Sequence, residues 1–155
     1  EIIKAFEEMA QELLTNSPAI INICKGIIAK ELDTSRERQQ VLDLEDELEQ
    51  DYIKLSEQLK KLGLSSEKHH DSYDEALKAY ETKSERLGEL KSKVTDKEKR
   101  KFYAECFIDI LSEQTNATFS EELWCSLVDH VTVPSQGNKR LHFHLRSGGI
   151  KEITI

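Results

Sequence analysis

Residues 41–62 read VLDLEDELEQDYIKLSEQLKKL, residues 73–94 read YDEALKAYETKSERLGELKSKV, and Leu62-Gly63-Leu64-Ser65-Ser66-Glu67 stands between them. On the first run Val41, Leu44, Leu48, Tyr52, Leu55, Leu59 and Leu62 recur at gaps of three and four residues. The gaps average about 3.5, the period of a coiled-coil seam rather than of a straight helix. On the second run Tyr73, Ala76, Tyr80, Lys83, Leu87, Leu90 and Val94 keep that period with one polar member. Gly63 suits the left-handed residue that closes a helix. Ser65 or Ser66 suits the cap of the next one, with Glu67 and Asp71 in its first turn. A link this short makes the two helices antiparallel neighbours. The reading is a helical hairpin with its tip near 63–66, each arm supplying the partner the other needs.

Such a hairpin reaches far and encloses little. The arm from Val41 to Leu62 extends about 32 Å, and a two-helix seam has no concave interior in which to build a pocket. Its outer faces are dense with charge, from Glu45, Asp46, Glu47, Glu49 and Asp51 to Lys91, Lys93 and Lys97. The expected role is mechanical or adhesive. Specificity for a second hairpin is expected at the apolar tip residue Leu64 and at the polar seam positions Asp51, Gln58 and Lys83. Contact residues toward the tip are expected to be Leu55, Leu59, Leu62, Leu64, Tyr73 and Tyr80.

Upstream, Ile2, Ile3, Phe6, Met9, Ala10, Leu13 and Leu14 form an apolar stripe opposite Glu7, Glu8 and Glu12. Thr15-Asn16-Ser17-Pro18 starts a second helix, with Ser17 as N-cap and Pro18 at the first position. That helix is apolar almost all round (Ile20, Ile21, Ile23, Cys24, Ile27, Ile28), which predicts burial, and after Leu32 it is expected to run on as the outgoing arm. Downstream, Thr95-Asp96-Lys97-Glu98 has capping-box spacing and predicts a kink or restart. A helix bearing Phe102, Tyr103, Cys106, Phe107, Ile110 and Leu111 follows, then a linker over 115–118 and a short helix with Leu123, Trp124, Leu127 and Val128. The period then falls to two. Val131 and Val133, then Leu141, Phe143 and Leu145, alternate with polar neighbours, with turns at 134–138 and Ser147-Gly148-Gly149 and a closing strand over 150–155. The fold expected is mainly α: a long antiparallel coiled-coil hairpin (33–94) on a small helical base (1–32 and 95–129), with C-terminal antiparallel β-strands (130–155).

At 155 residues, 37% apolar and 34% charged, the composition suits an elongated helical protein better than a compact enzyme. The net charge of -8 excludes nucleic-acid binding by bulk electrostatics, though not by a local basic cluster. No run approaches the ~20 apolar residues of a membrane span, and no signal peptide is legible. The sequence opens on Glu1 within a helical pattern, as a piece of a longer polypeptide would. Cys24, Cys106 and Cys125 are an odd number without CxxC spacing and read as small buried residues of an intracellular protein. His142 and His144 share a strand face, but no carboxylate or cysteine signature accompanies them, and His69-His70-Asp71 lies in an ordinary first turn. No nucleophile elbow or phosphate loop is present. The residues point to a non-enzymatic piece without a metal or cofactor of its own.

Phe119-Ser120-Glu121-Glu122-Leu123-Trp124 through Leu127-Val128-Asp129-His130-Val131-Thr132-Val133, then Arg140-Leu141-His142-Phe143-His144-Leu145-Arg146-Ser147-Gly148-Gly149, resembles the C-terminal end of large serine recombinases of transposons and phages. Ala5-Phe6-Glu7-Glu8-Met9 and the charged coiled coil fit the region downstream of that family's zinc ribbon. The resemblance spans essentially the whole chain, is most specific in the last thirty or so residues, and is diffuse through the coiled coil. It implies a parent protein whose N-terminal serine attacks DNA, with a zinc domain that binds the attachment site. It also implies a coiled-coil arm that joins subunits on paired sites and controls the direction of recombination. No position here matches the catalytic serine motif or the zinc cysteines, so neither is carried over; zinc is expected in a domain upstream. The partners implied are other recombinase subunits and, through the parent, DNA in the bacterial cytoplasm, with no membrane or small-molecule substrate. Lys139, Arg140 and Arg146 are nominated for DNA-backbone contact, because basic side chains on a strand edge position phosphates without reading sequence. The competing expectation is a structural coiled coil that dimerises or spaces domains in an unrelated protein.

Overall fold

A computed structural model describes residues 1–62, 68–134 and 140–155. The hairpin tip with Leu64, and the loop with Lys139, lie outside the described residues. The elements are α1 (Ile2–Thr15), α2 (Ser17–Lys30), α3 (Ser35–Leu62), α4 (Lys68–Glu113), α5 (Glu121–Leu127), β1 (Val128–Thr132), β2 (Arg140–Leu145) and β3 (Ile150–Thr154). The chain divides into two compact units, one of Glu1–Asp33 with Glu98–Ile155, the other of Thr34–Lys97. It is a mainly helical protein with a small three-stranded antiparallel sheet.

In the first unit the stripe of α1 buries Ala5, Phe6, Met9, Ala10 and Leu13. They share one core with Leu141, Phe143 and Leu145 of β2 and Ile153 of β3. The strands lie in the order β1-β2-β3, all antiparallel. A sheet of three strands needs such a cover, and α1 supplies it. The Phe6 ring lies 5.0 Å from Trp124, 5.6 Å from Phe119 and 6.5 Å from Phe143 between centroids. Two polar contacts hold the segment that delivers these rings. The Phe119 amide donates to Glu7 Oε1 at 3.1 Å, and the Leu123 amide donates to Ser120 Oγ at 3.1 Å, an N-cap for α5.

Several expectations are corrected here. The helix after Pro18 is not buried: only Ile20, Ile21 and Cys24 pack against the core, and Ile23 is 64% exposed. A two-layer unit offers a helix one core face, so apolar residues elsewhere on its circumference face solvent. The helix does not run on past Leu32 either. Glu31–Thr34 breaks it, and α3 opens with the Arg38 amide donating to the Thr34 carbonyl at 2.8 Å. Thr34 and Glu37 have the capping-box spacing that marks this start. Conversely, Thr95 starts nothing. It lies inside α4, its hydroxyl donating to the Lys91 carbonyl at 3.0 Å, the back-bonding open to threonine within a helix. Val133 is exposed, and Val128, expected in the helix, is the inward residue of β1 with Val131. A bulge between Val128 and His130 re-phases the strand by one residue. Cys24 and Cys106 are half-buried and Cys125 is exposed, all as free thiols.

In the second unit α3 and α4 run side by side and antiparallel. As position advances from Glu37 through Glu45 to Asp51 on α3, its partner retreats from Lys97 through Lys91 to Lys83 on α4. The seam on α4 is the expected one: Tyr73, Ala76, Tyr80, Lys83, Leu87, Leu90 and Val94 are all half-buried. On α3 the frame differs. Leu44, Leu48 and Leu55 are buried and Asp51 and Gln58 half-buried, while Tyr52 is 62% and Leu59 57% exposed. The seam therefore alternates strictly through 41, 44, 48, 51, 55 and 58, accepting two polar members, and Tyr52 and Leu59 stand one residue outside it.

Candidate functional site

Among the described residues the hairpin seam contains two ionic layers. Lys83 Nζ donates to Asp51 Oδ2 at 2.7 Å and lies 3.0 Å from Glu47 Oε2. Two heptads away, Lys97 Nζ donates to Glu37 Oε1 at 2.6 Å, and Lys93 approaches the same oxygen at 3.5 Å. Sliding one helix by a heptad would set Lys83 level with Leu44, so the layers specify a single register. Their stabilising share is modest, because the lysines keep contact with water. The Gln58 Oε1 atom is buried with no hydrogen-bond partner among the described residues. A polar atom left so costs about 1–3 kcal/mol.

The layers make the hairpin pH-sensitive. The hydrogen bond from Lys97 holds the Glu37 carboxyl below its usual range, and that from Lys83 does the same for Asp51. Asp51, then Glu47, raises the Lys83 ammonium above the lysine range. A depressed carboxylate contributes stability that is present above its unfolded pKa and lost as pH falls through the folded value. A raised lysine contributes stability present below its unfolded pKa and lost as pH rises through the folded one. The hairpin is thus expected to hold a plateau between the carboxylate and lysine ranges and to lose helicity below the usual carboxylate range. Circular dichroism melts across pH check this, and Asp51→Asn should flatten the acid limb.

One flank of the hairpin carries exposed apolar side chains. Lys91 Nζ lies 2.6 Å from Glu45 Oε1. The same register, carried one and two heptads toward the loop, sets Tyr52 level with Ser84 and Leu59 level with Leu77. Leu77 is half-buried. The opposite flank, with Glu47, Lys54 and Lys61, is charged.

The open face of the sheet is a second polar surface. Register pairs His130 with His144, Thr132 with His142, and His142 with Glu152. The His130 and His144 rings stack at 4.0 Å and 12°. Thr132 Oγ1 meets His144 Nε2 at 3.1 Å, and His130 Nδ1 meets Asp129 Oδ2 at 2.9 Å. The contact with His130 holds the Asp129 carboxyl below its usual range. His142 Nε2 lies 3.4 Å from Glu152. Among the described residues no group of three or more His, Cys, Asp and Glu side chains is placed to hold a metal.

The nominated residues separate accordingly. Leu55 is buried within the seam and unavailable to a partner, Tyr73 and Tyr80 are half-buried, and Leu59 is open. Leu62 ends α3; its side chain, like Leu64, lies outside the described residues. Arg140 is exposed on the sheet and paired with Glu152 at 2.7 Å. Arg146 is exposed, its amide donating to the Leu127 carbonyl at 3.0 Å. Lys139 lies outside the described residues. Tyr52 as a surface residue was missed; the signal was the strict three-four alternation, which passes through Asp51 and Gln58. No described helix is long and apolar enough to cross a membrane. No family model, curated protein or solved structure matches this chain.

Proposed function

We propose that this chain is the non-catalytic C-terminal part of a serine site-specific DNA recombinase. Its α3–α4 hairpin is a coiled-coil arm that joins subunits on paired DNA sites. The observation that carries the reading is the division of the arm into an internally satisfied seam and an open apolar flank. The ionic layers and Leu44, Leu48 and Leu55 serve the chain itself. Tyr52 and Leu59 stand mostly in solvent. A patch this small falls far below the roughly 1,200 Å² of a stable interface, so it suits partners already held close on DNA, where effective concentration replaces affinity. Arg140 and Arg146 are the described candidates for phosphate contact, in a positioning role. The chemistry of strand exchange and the zinc domain belong, in this reading, to the upstream part of the parent.

Sedimentation over a concentration series tests the arm. The parent chain should associate weakly and reversibly. Leu59→Asp, at an exposed position, should leave folding intact and weaken association about ten-fold or more. A tight oligomer indifferent to both Leu59→Asp and Leu64→Asp would favour the structural-spacer reading.

A further inference from the structure

The first unit contains a hollow of about 280 Å³ whose wall includes Arg100, Glu31, Ser147 and the Gly148–Gly149 turn. Its floor is apolar, from Ile27, Leu32 and Ala104. The neighbours of Arg100 on α4 are engaged: Lys99 lies over the Tyr103 ring at 6.0 Å, and Lys101 reaches Glu105 at 3.9 Å. The Arg100 side chain has no ion pair or hydrogen bond with any described residue, and neither has the Glu31 carboxylate, although the Glu31 amide donates to the Ile27 carbonyl at 2.8 Å. In the turn, the Gly148 amide donates to the Leu145 carbonyl at 2.9 Å and the Leu145 amide to the Gly149 carbonyl at 2.8 Å. The Ser147 and Gly149 amides have no backbone acceptor among the described residues, and Gly148 holds φ at 92°. A turn passing through a left-handed residue with free amides is an anion-binding concavity, and here a guanidinium lines the same hollow.

We infer that this hollow seats one singly charged oxyanion, a phosphodiester of a polynucleotide backbone. The guanidinium and the Ser147 hydroxyl and amides supply donors suited to a phosphate. Glu31 on the same wall cancels the charge of Arg100, so the lining is neutral overall. A neutral lining disfavours a dianion such as a phosphomonoester and tolerates the single charge of a diester. The choice of a polynucleotide over a carboxylate rests on the recombinase reading.

The test is an amide-resolved NMR titration of the whole chain with a short mixed-sequence DNA duplex, beside parallel titrations with inorganic phosphate and acetate. The duplex should shift the Ser147, Gly148 and Gly149 signals at concentrations where acetate and phosphate do not. Arg100→Gln, which breaks no ion pair with a described residue, should weaken duplex binding about ten-fold. It should also lower the salt slope of log K by about 0.9, the share of one phosphate. Glu31→Gln should strengthen binding about three-fold. If the duplex moves signals around Arg140 and His142 but leaves the turn still, the hollow is not the site, and DNA contact by the sheet stands without it. Turn shifts that are equal for acetate and duplex overturn the polynucleotide assignment. An unchanged slope in Arg100→Gln overturns the role of that residue. A duplex that moves nothing overturns the hollow and the DNA contact of this chain together, leaving the self-association of the arm to its own test.

Discussion

Phe6→Ala should lose about 3–5 kcal/mol, the cost of emptying a fully packed aromatic site. That is a large part of the roughly 5–15 kcal/mol a domain commonly has. Phe6 is completely buried and meets the rings of Phe119, Trp124 and Phe143 at once. Its removal therefore takes away the shared aromatic contact between α1, the segment entering α5, and the sheet. Trp124 is the only tryptophan in the chain, so its fluorescence during denaturant unfolding reports on this unit alone. The midpoint should fall steeply for Phe6→Ala. Ile23→Ala, at an exposed position of α2, should stay within about 0.5 kcal/mol of the parent.

Leu48→Asp should be the most damaging single change in the hairpin. Leu48 is only 8% exposed in the seam, and the neighbouring cation, Lys83, is already engaged by Asp51 and Glu47. An unpaired buried charge joined to a lost apolar contact falls among the few mechanisms that exceed 3 kcal/mol. Tyr52→Asp, four residues on, should cost within about 0.5 kcal/mol, because Tyr52 is outside the seam. Thermal melts followed by helical circular dichroism compare the two. Equal losses would return Tyr52 to the seam and undo the frame that leaves the apolar flank open.

That frame shows where sequence reading stopped. Hydrophobic period alone located both arms and the seam residues Tyr73 to Val94 of α4. On α3 it set the apolar Tyr52 and Leu59 among the seam residues beside the polar positions Asp51 and Gln58, because it counted apolarity and not complementarity. Asp51 is a seam residue only because Lys83 arrives opposite it, a fact held by two helices together and by neither alone. The strands were legible from alternation, but the bulge that turns both Val128 and Val131 inward was not, since a one-residue slip leaves no mark on composition. The exposure of α2 was illegible for a related reason. An apolar circumference says what a helix tolerates, whereas the number of layers around it decides what is covered. The Thr34 start was present as Thr34 and Glu37 spacing, overshadowed by the stronger-looking Thr95 and Glu98. Of the nominated residues, Arg140 on β2 and Arg146 just past its end are both exposed. The hollow beside Arg100 was not legible, because α2, α4 and the β2–β3 turn meet there from distant parts of the chain.

The recombinase reading is tested most directly by the intact mass and peptide map of the native polypeptide that contains residues 1–155. The account predicts a chain several hundred residues longer, with an N-terminal domain whose serine attacks DNA and with cysteine pairs shortly before Glu1. A native polypeptide that begins near Glu1, or whose upstream part lacks both, would contradict it and leave the hairpin a spacer or dimerisation element.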